Sequence, residues 1–289
     1  MRRIFNLVSP LFVAAVIAFA ILAVGQDLWG LLVYANLKTS PVIPWAAPVM
    51  AGVLALLVLY LSGAGWPATT SAARARLLAW RPIPWPAFWT AVLAGGLAVV
   101  AFAALWIVVS DLVHIPAGVQ PKLGGGVPIW AGVVFLLTSS AAAPISEEAA
   151  FRGYAMGILE KAWKNAPAAI FASSVLFALA HVTQGFSLPK LSLYFLGGVV
   201  FALLAWMTRS LYAAMIIHSF ADVLGFTILW PHDQRAHGME FADGAFLPAL
   251  IVLAIFAPVA AVAFAKLASM TRTPLARSAS DRLSPALAR

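Results

Sequence analysis

The sequence predicts an all-α polytopic membrane protein, a bundle of about eight transmembrane helices. Of its 289 residues, 63% are hydrophobic and only 10% are charged, whereas soluble domains carry about 25% charged residues. A soluble domain needs a charged exterior, but a bilayer solvates apolar surface directly. Eight apolar runs follow one another along the chain, and the basic residues lie mainly between them.

Each of the eight runs reaches about the 20 apolar residues that a helix needs to cross the hydrocarbon core, and the fourth is clearly longer. Proline and tryptophan mark several boundaries, because proline ends helices and indole rings favour the headgroup level. In chain order the predicted spans are 10–30, 44–65, 86–110, 127–159, 167–183, 191–208, 211–229 and 245–270.

The positive charge is distributed unevenly across this arrangement. With a cytoplasmic N-terminus, thirteen basic residues fall in cytoplasmic segments and four on the opposite side. The thirteen are Arg2, Arg3, Arg74, Arg76, Arg81, Lys161, Lys164, Arg209, Lys266, Arg272, Arg277, Arg282 and Arg289, and the four are Lys38, Lys122, Lys190 and Arg235. The positive-inside rule therefore predicts a multi-pass protein of the cell membrane with both termini cytoplasmic. The net charge of +8 indicates membrane lipid rather than nucleic acid as the partner.

Ionisable residues inside the apolar runs are the candidates for function. A charge in the hydrocarbon core costs about 3 kcal/mol on insertion scales. The residues concerned lie on the fourth, fifth and seventh predicted spans: Glu147, Glu148, Arg152, His181, His218 and Asp222. Because three helices carry such groups at a similar depth, the sequence predicts a shared, water-filled polar cavity between them.

The two neighbouring acids on the fourth span point in different directions and are predicted to have different roles. Glu148 and Arg152 are four residues apart on one helix face, and the acid precedes the base, which favours an ion pair. Glu147 points about 100° away from Glu148 and is therefore free for another role. The alternative is that all three side chains form one buried charge network.

The histidines carry weaker signals. His181 follows Phe177 by four residues, so the two rings can pack, and a single histidine on an apolar helix is more often a packing residue than a catalyst. His218 and Asp222 are also four apart. That spacing suits either a hydrogen bond that orients the imidazole or two metal ligands.

Taken in order, these residues resemble the CPBP family, which covers type II CAAX prenyl proteases and bacteriocin-processing or immunity proteins, also called the Abi family. The motifs are Glu-Glu-x-x-x-Arg, Phe-x-x-x-His and His-x-x-x-Asn/Asp. In this sequence they are Glu147, Glu148 and Arg152, then Phe177 and His181, then His218 and Asp222. The match covers roughly residues 127–229. Each motif alone is weak, but three in order on membrane helices are fairly specific.

The resemblance implies an intramembrane endopeptidase whose site opens toward the cytoplasm and whose partner is a peptide or protein substrate. By position, Glu147 and His181 correspond to the pair that activates water, and His218 and Asp222 to the groups that stabilise the oxyanion. Glu148, Arg152 and Phe177 are the expected supporting residues. The domain organisation follows: N-terminal helices one to three in 1–126, a CPBP-like catalytic core of helices four to seven in 127–230, a last loop and helix eight in 231–270, and a disordered basic cytoplasmic tail in 271–289.

Position 222 departs from the prenyl proteases, which carry asparagine where this sequence has Asp222. An ionised carboxylate repels a developing oxyanion, which needs hydrogen-bond donors. Asp222 therefore either stays neutral and donates, or holds the His218 imidazole in place. The departure weakens a strict prenyl-protease assignment without excluding proteolysis.

No cofactor or metal is expected. The chain has no cysteine, which excludes a thiol nucleophile and thiolate metal ligands, and no His-Glu-x-x-His motif is present. Zinc is the alternative, because carboxylates and imidazoles are acceptable ligands. Its ligands would be Glu147, His181, His218 and Asp222.

Two other classes of protein fit part of the pattern. A proton-coupled transporter also carries acids and histidines within its spans, although it more often shows matching repeated halves. A bacteriocin-immunity or binding protein would keep the same bundle without turnover.

Overall fold

The structure is a computed structural model that describes residues 2–115, 127–233 and 244–283. Within these ranges the chain is helical, with no strand. The α-helices are α1 (Arg2–Leu22), α2 (Leu28–Leu37), α3 (Ala46–Leu61), α4 (Ser71–Leu78), α5 (Trp85–Leu112), α6 (Ile129–Glu147), α7 (Met156–Trp163), α8 (Ala166–Ala180), α9 (Leu188–Thr208), α10 (Tyr212–Leu224), α11 (Trp230–Asp233) and α12 (Phe246–Leu283). Three π-helical segments, Ala23–Asp27, Glu148–Ala155 and Gly225–Leu229, and two 3₁₀ turns, Ala68–Thr70 and Val182–Gln184, complete the helices.

The helix lengths confirm the predicted class, an all-α polytopic membrane protein. Six helices of the described chain are long and apolar enough to cross a membrane: Val8–Leu37, Trp85–Leu112, Ile129–Trp163, Leu188–Thr208, Tyr212–Leu229 and Phe246–Thr271. The second and fifth predicted spans correspond to the shorter apolar helices Ala46–Leu61 and Ala166–Ala180. Each of the eight predicted spans therefore overlaps an apolar helix.

The outer surface of the bundle is apolar. Large hydrophobic side chains are widely exposed, with Phe12, Leu56, Ile129 and Val262 each more than 60% accessible. A soluble protein rarely exposes apolar surface on this scale, whereas lipid tails solvate it.

Two acids outside the motifs lie within apolar helices. Asp27 lies well inside the first span, because the helix continues through the π segment to Leu37. Asp111 is buried near the end of α5, where its Oδ1 lies 2.9 Å from Nε2 of His232 on α11.

The C-terminal segment also differs from the expected disordered tail. The backbone continues as helix α12 as far as Leu283, whereas residues 284–289 lie outside the described ranges. Alanine, leucine and arginine are strong helix formers, and adding a residue to an existing helix avoids the cost of nucleation.

Close packing around α5 brings the seventh span against the third. A Cβ at Gly95 would lie 2.8 Å from Cγ1 of Ile217 on α10 and 2.8 Å from Cδ1 of Leu204 on α9. Ile217 directly precedes His218, so this approach fixes a helix that carries a site residue. A Cβ at the adjacent Gly96 would meet nothing within 4 Å.

The two glycines provide a matched pair of variants. We expect Gly95→Ala to lower the free energy of unfolding by about 1–3 kcal/mol, because an added methyl overpacks the helix contact. Gly96→Ala should leave stability unchanged or raise it by up to about 1 kcal/mol, because alanine favours a helix. Thermal unfolding of both purified variants in detergent checks this. Equal effects of the two substitutions would contradict the packing shown at Gly95.

Candidate active site

Glu147 is the last residue of α6, and the chain then passes into the π-helical segment Glu148–Ala155. A π-helix widens the turn and is frequent at functional sites. The segment Ala23–Asp27 lies against this point, because any Cβ on Gly25 would collide with the Cβ of Ser146. The sequence pattern gave no sign of either π segment.

The carboxyl group of Glu147 faces both site histidines. Its Oε2 lies 3.9 Å from Nε2 of His181 and 3.7 Å from Nε2 of His218. Both distances exceed hydrogen-bond length. Glu147 is 2% exposed, and its Oε2 has no hydrogen-bond partner among the described residues. A buried carboxylate oxygen thus points toward two imidazole nitrogens without being bonded to either.

The orientation of His181 is fixed by its own helix. Its Nδ1 lies 2.8 Å from the carbonyl oxygen of Phe177. A carbonyl only accepts, so Nδ1 carries the hydrogen, and Nε2 of the neutral ring presents its lone pair on the side of Glu147. The predicted packing of Phe177 and His181 is confirmed, with ring centroids 4.7 Å apart. Tyr194 stacks on the other side of the imidazole at 4.0 Å.

Glu148 joins two of the motifs. Its Oε1 accepts a hydrogen bond of 2.8 Å from Nη1 of Arg152, which confirms the predicted ion pair. The same oxygen lies 2.7 Å from Nδ1 of His218. Arg152 also donates to the carbonyl oxygen of Gly198, at 3.0 Å. In the described chain Glu147 forms no direct ion pair with Arg152, but His218 lies 3.7 Å from Glu147 and also contacts Glu148, so the alternative of one buried charge network stays open.

Asp222 does not hold His218 by a hydrogen bond. Its Oδ1 is 3.7 Å from Nε2 of His218, whereas Glu148 binds Nδ1 at 2.7 Å. The carboxylate that orients the His218 imidazole is therefore that of Glu148, on the fourth span, and not that of Asp222, which lies on the same helix as His218. Asp222 keeps 20% of its side chain exposed, and its Oδ2 has no partner in the part of the chain that the structure describes.

The residues proposed as zinc ligands are close together but do not form a ready metal site. Across residues 2–115, 127–233 and 244–283, no group of three or more histidine, cysteine or acidic side chains is arranged to hold a metal ion. Each imidazole nevertheless presents Nε2 on the side of Glu147 while its Nδ1 is engaged, an arrangement that also suits metal ligation. Zinc therefore stays an alternative that needs a direct assay.

A cavity of about 180 Å³ contains these side chains. Glu147, His181, His218 and Asp222 all line it, as predicted for the fourth, fifth and seventh spans. Helices α5 and α9 and the first span complete the wall, through residues such as Trp106, Tyr194 and Gln26.

The cavity extends toward one end of the bundle. Its lining continues to Gln184, Lys190 and Leu229, which lie where α8 and the seventh span end and where α9 begins. The basic residues Arg76, Arg81, Lys161 and Arg209 lie at the other end, where Arg209 contacts Glu160 and Ser210 bonds to Arg81. If the basic end faces the cytoplasm, as the positive-inside rule predicts, the cavity extends toward the opposite side of the membrane. This disagrees with the site opening toward the cytoplasm that the family resemblance implied.

Three further residues shape the site and were not expected from the motifs. Tyr194 stacks on His181 and donates to Oε1 of Gln184 at 2.6 Å. Phe201 stacks on His218 at 4.3 Å. Lys190 was counted as a loop charge, but it is 2% exposed and donates to the carbonyl of Gln184. Lys190 and Tyr194 are four residues apart on α9, and this helical spacing was the one signal available.

These features define a multi-pass helical membrane protein in which ionisable side chains from three spans line one cavity. A model of the family described as type II CAAX prenyl endopeptidase Rce1-like matches residues 128–224. The similarity of this segment to that family confirms the resemblance found in the motifs. No curated protein and no solved structure matches the chain.

Proposed function

We propose that this protein is an intramembrane endopeptidase in which Glu147 and His181 activate water. The observation that carries the proposal is the buried Oε2 of Glu147, which faces Nε2 of both histidines across 3.9 and 3.7 Å and has no partner among the described residues. A water molecule at about 2.8 Å from both Glu147 and His181 fits this gap.

The first half of the reaction needs a base and a stabilised oxyanion. Glu147 accepts a proton from the water while the water oxygen forms a bond to the peptide carbonyl carbon. His181, held by the Phe177 carbonyl, orients the water through Nε2. The carbonyl oxygen becomes an oxyanion. His218 stabilises it when Nε2 carries a hydrogen, and because Nδ1 donates to Glu148, this requires the imidazolium form.

In the second half the carbon–nitrogen bond breaks. The proton held by Glu147 passes to the leaving amine, directly or through His181, and the products are a carboxylic acid and an amine. Asp222 contributes a hydrogen bond to the oxyanion only when it carries a proton, since an ionised carboxylate would repel it. Glu148 and Arg152 position His218 and do not touch the substrate.

The test is cleavage of a peptide library by the purified full chain in detergent. Wild type should produce cleaved peptides, and the double variant Glu147→Gln/His181→Ala should produce none. Equal cleavage by both proteins would overturn the proposal. A third arm with a metal chelator, followed by metal analysis of the same sample, decides between this mechanism and the zinc alternative. Proton-coupled uptake by vesicles without any cleavage would favour a transporter.

The orientation of the site forms a second part of the proposal. We take the termini and basic loops as cytoplasmic, so the cavity opens toward the opposite side of the membrane. The chain has no cysteine, which makes single-cysteine labelling clean. In intact cells a membrane-impermeant maleimide should label Gln26→Cys, which lines the cavity, and not Lys164→Cys, which lies at the basic end. The reverse pattern would show that the site opens toward the cytoplasm.

A further inference from the structure

A second and larger cavity, of about 700 Å³, lies at the basic end of the bundle. Its wall is formed by α1, α4, α7, the end of α9 and the π segment that follows Glu147. Arg152 lines this cavity, whereas Glu147 and His218 line the smaller one.

The charge around this second cavity is strongly unbalanced. Five basic residues line it, together with one acid, Glu160. Glu160 is already bound by Arg209, at 3.0 and 3.2 Å. Arg76, Arg81 and Lys161 have no acidic partner among the described residues. An anion at this position would compensate three positive charges for which the described part of the chain supplies no acid.

Arg152 supplies a second, independent observation. It is 2% exposed, and two of its guanidinium nitrogens bond to Glu148 and Gly198. Its Nε is buried without a hydrogen-bond acceptor in the described chain. A buried donor of a charged group is costly to leave unsatisfied, and Arg152 belongs to the lining of this cavity.

The remaining surface of the cavity is apolar. Pro10, Val13, Leu77 and Met156 belong to its lining. Neighbouring positions on the first span carry exposed hydrophobic side chains, including Phe12, Val16 and Phe19. An anion with long apolar chains fits this combination, because its charged end meets the basic residues while its chains lie along α1.

We propose that the cavity binds the phosphate headgroup of an anionic glycerophospholipid. Arg76, Arg81 and Lys161 contact the phosphate, and the acyl chains lie against α1. Basic pockets between transmembrane helices at the cytoplasmic level are suited to such headgroups. Free phosphate offers the same charge, but it leaves the adjoining apolar wall and the exposed face of α1 uncovered. The site is independent of the peptidase proposal, since none of the three residues that contact the phosphate has a role there.

The experiment is native mass spectrometry of the full chain in a nonionic detergent, titrated with phosphatidylglycerol or with zwitterionic phosphatidylcholine. Wild type should bind phosphatidylglycerol with a clearly lower dissociation constant than phosphatidylcholine. The variant Arg76→Gln/Lys161→Gln should weaken this binding by roughly 10- to 30-fold. The matched control Lys164→Gln/Lys266→Gln removes the same amount of charge from exposed residues outside the cavity. This control should bind phosphatidylglycerol as wild type does.

Three results would overturn the proposal. Equal loss in both double variants would mean that a diffuse surface charge, and not this cavity, attracts the lipid. Equal retention of the two lipids by wild type would remove the anion preference. Displacement of phosphatidylglycerol by an equal concentration of inorganic phosphate would show a site for the free ion rather than for a lipid.

Discussion

Replacing Glu147 by glutamine is expected to lower kcat for peptide cleavage by about 10²- to 10⁴-fold, the contribution typical of a positioned general base. Glutamine keeps the shape of the side chain but cannot accept the proton from water. The KM should change little, because the carboxylate acts on the bond being broken rather than on the rest of the substrate. Steady-state kinetics on any peptide identified from the library measure both constants.

The control for this variant is Glu160→Gln, which changes an acid on α7 that lies outside the 180 Å³ cavity and binds Arg209. Its kcat should stay within about twofold of wild type. Thermal unfolding distinguishes a loss of catalysis from a loss of stability. Because Oε2 of Glu147 has no hydrogen-bond partner among the described residues, Glu147→Gln should not destabilise the fold. Wild-type kcat in a folded Glu147→Gln protein would exclude Glu147 as the base.

Replacing Glu148 by alanine is expected to lower the free energy of unfolding by about 3–5 kcal/mol, because it leaves the buried guanidinium of Arg152 uncompensated. Both side chains of this pair are 0% exposed. The comparison variant is Glu160→Ala, whose partner Arg209 has a side chain that is 51% exposed. That exposed pair should contribute no more than about 1 kcal/mol. Denaturant unfolding of both variants gives the two values.

A double variant separates the structural role of Glu148 from its effect on His218. Glu148→Leu/Arg152→Leu removes both charges, so much of the stability should return, since apolar replacement of a whole buried pair is often neutral. Cleavage should stay low, because Nδ1 of His218 has lost the carboxylate that orients it. Wild-type cleavage by a stable double variant would show that Glu148 does not position His218.

The motif spacing predicted the parts of the site that depend on a single helix. The Glu148–Arg152 ion pair and the contact of Phe177 with His181 each join residues four apart, and helical geometry alone brings such residues together. Contacts between distant segments could not be predicted in this way. The bond from Glu148 to His218 crosses seventy residues of sequence, and Phe201 and Tyr194 stack on the histidines from a helix that carries none of the motifs.

The role predicted for Asp222 also shows that residue spacing does not reveal contacts between distant segments. From the sequence, Asp222 was a candidate to orient His218, because a spacing of four residues places both on one face. The structure gives this contact to Glu148, since Glu148 reaches Nδ1 at 2.7 Å while Asp222 stays 3.7 Å from Nε2. Spacing defines which residues share a face, but it does not define which edge of an imidazole a carboxylate reaches.

The sequence by itself determined the class of this protein, because burying eight apolar runs in lipid depends on composition and helix length and on little else. It also determined which ionisable residues needed an explanation, since a charge within such a run is costly wherever the helices lie. Only the tertiary structure decided how those residues meet: the second partner of Glu148, the π segments beside Glu147 and the end of the bundle toward which the cavity extends. These features depend on how helices distant in sequence pack against one another, and hydropathy carries no information about that packing.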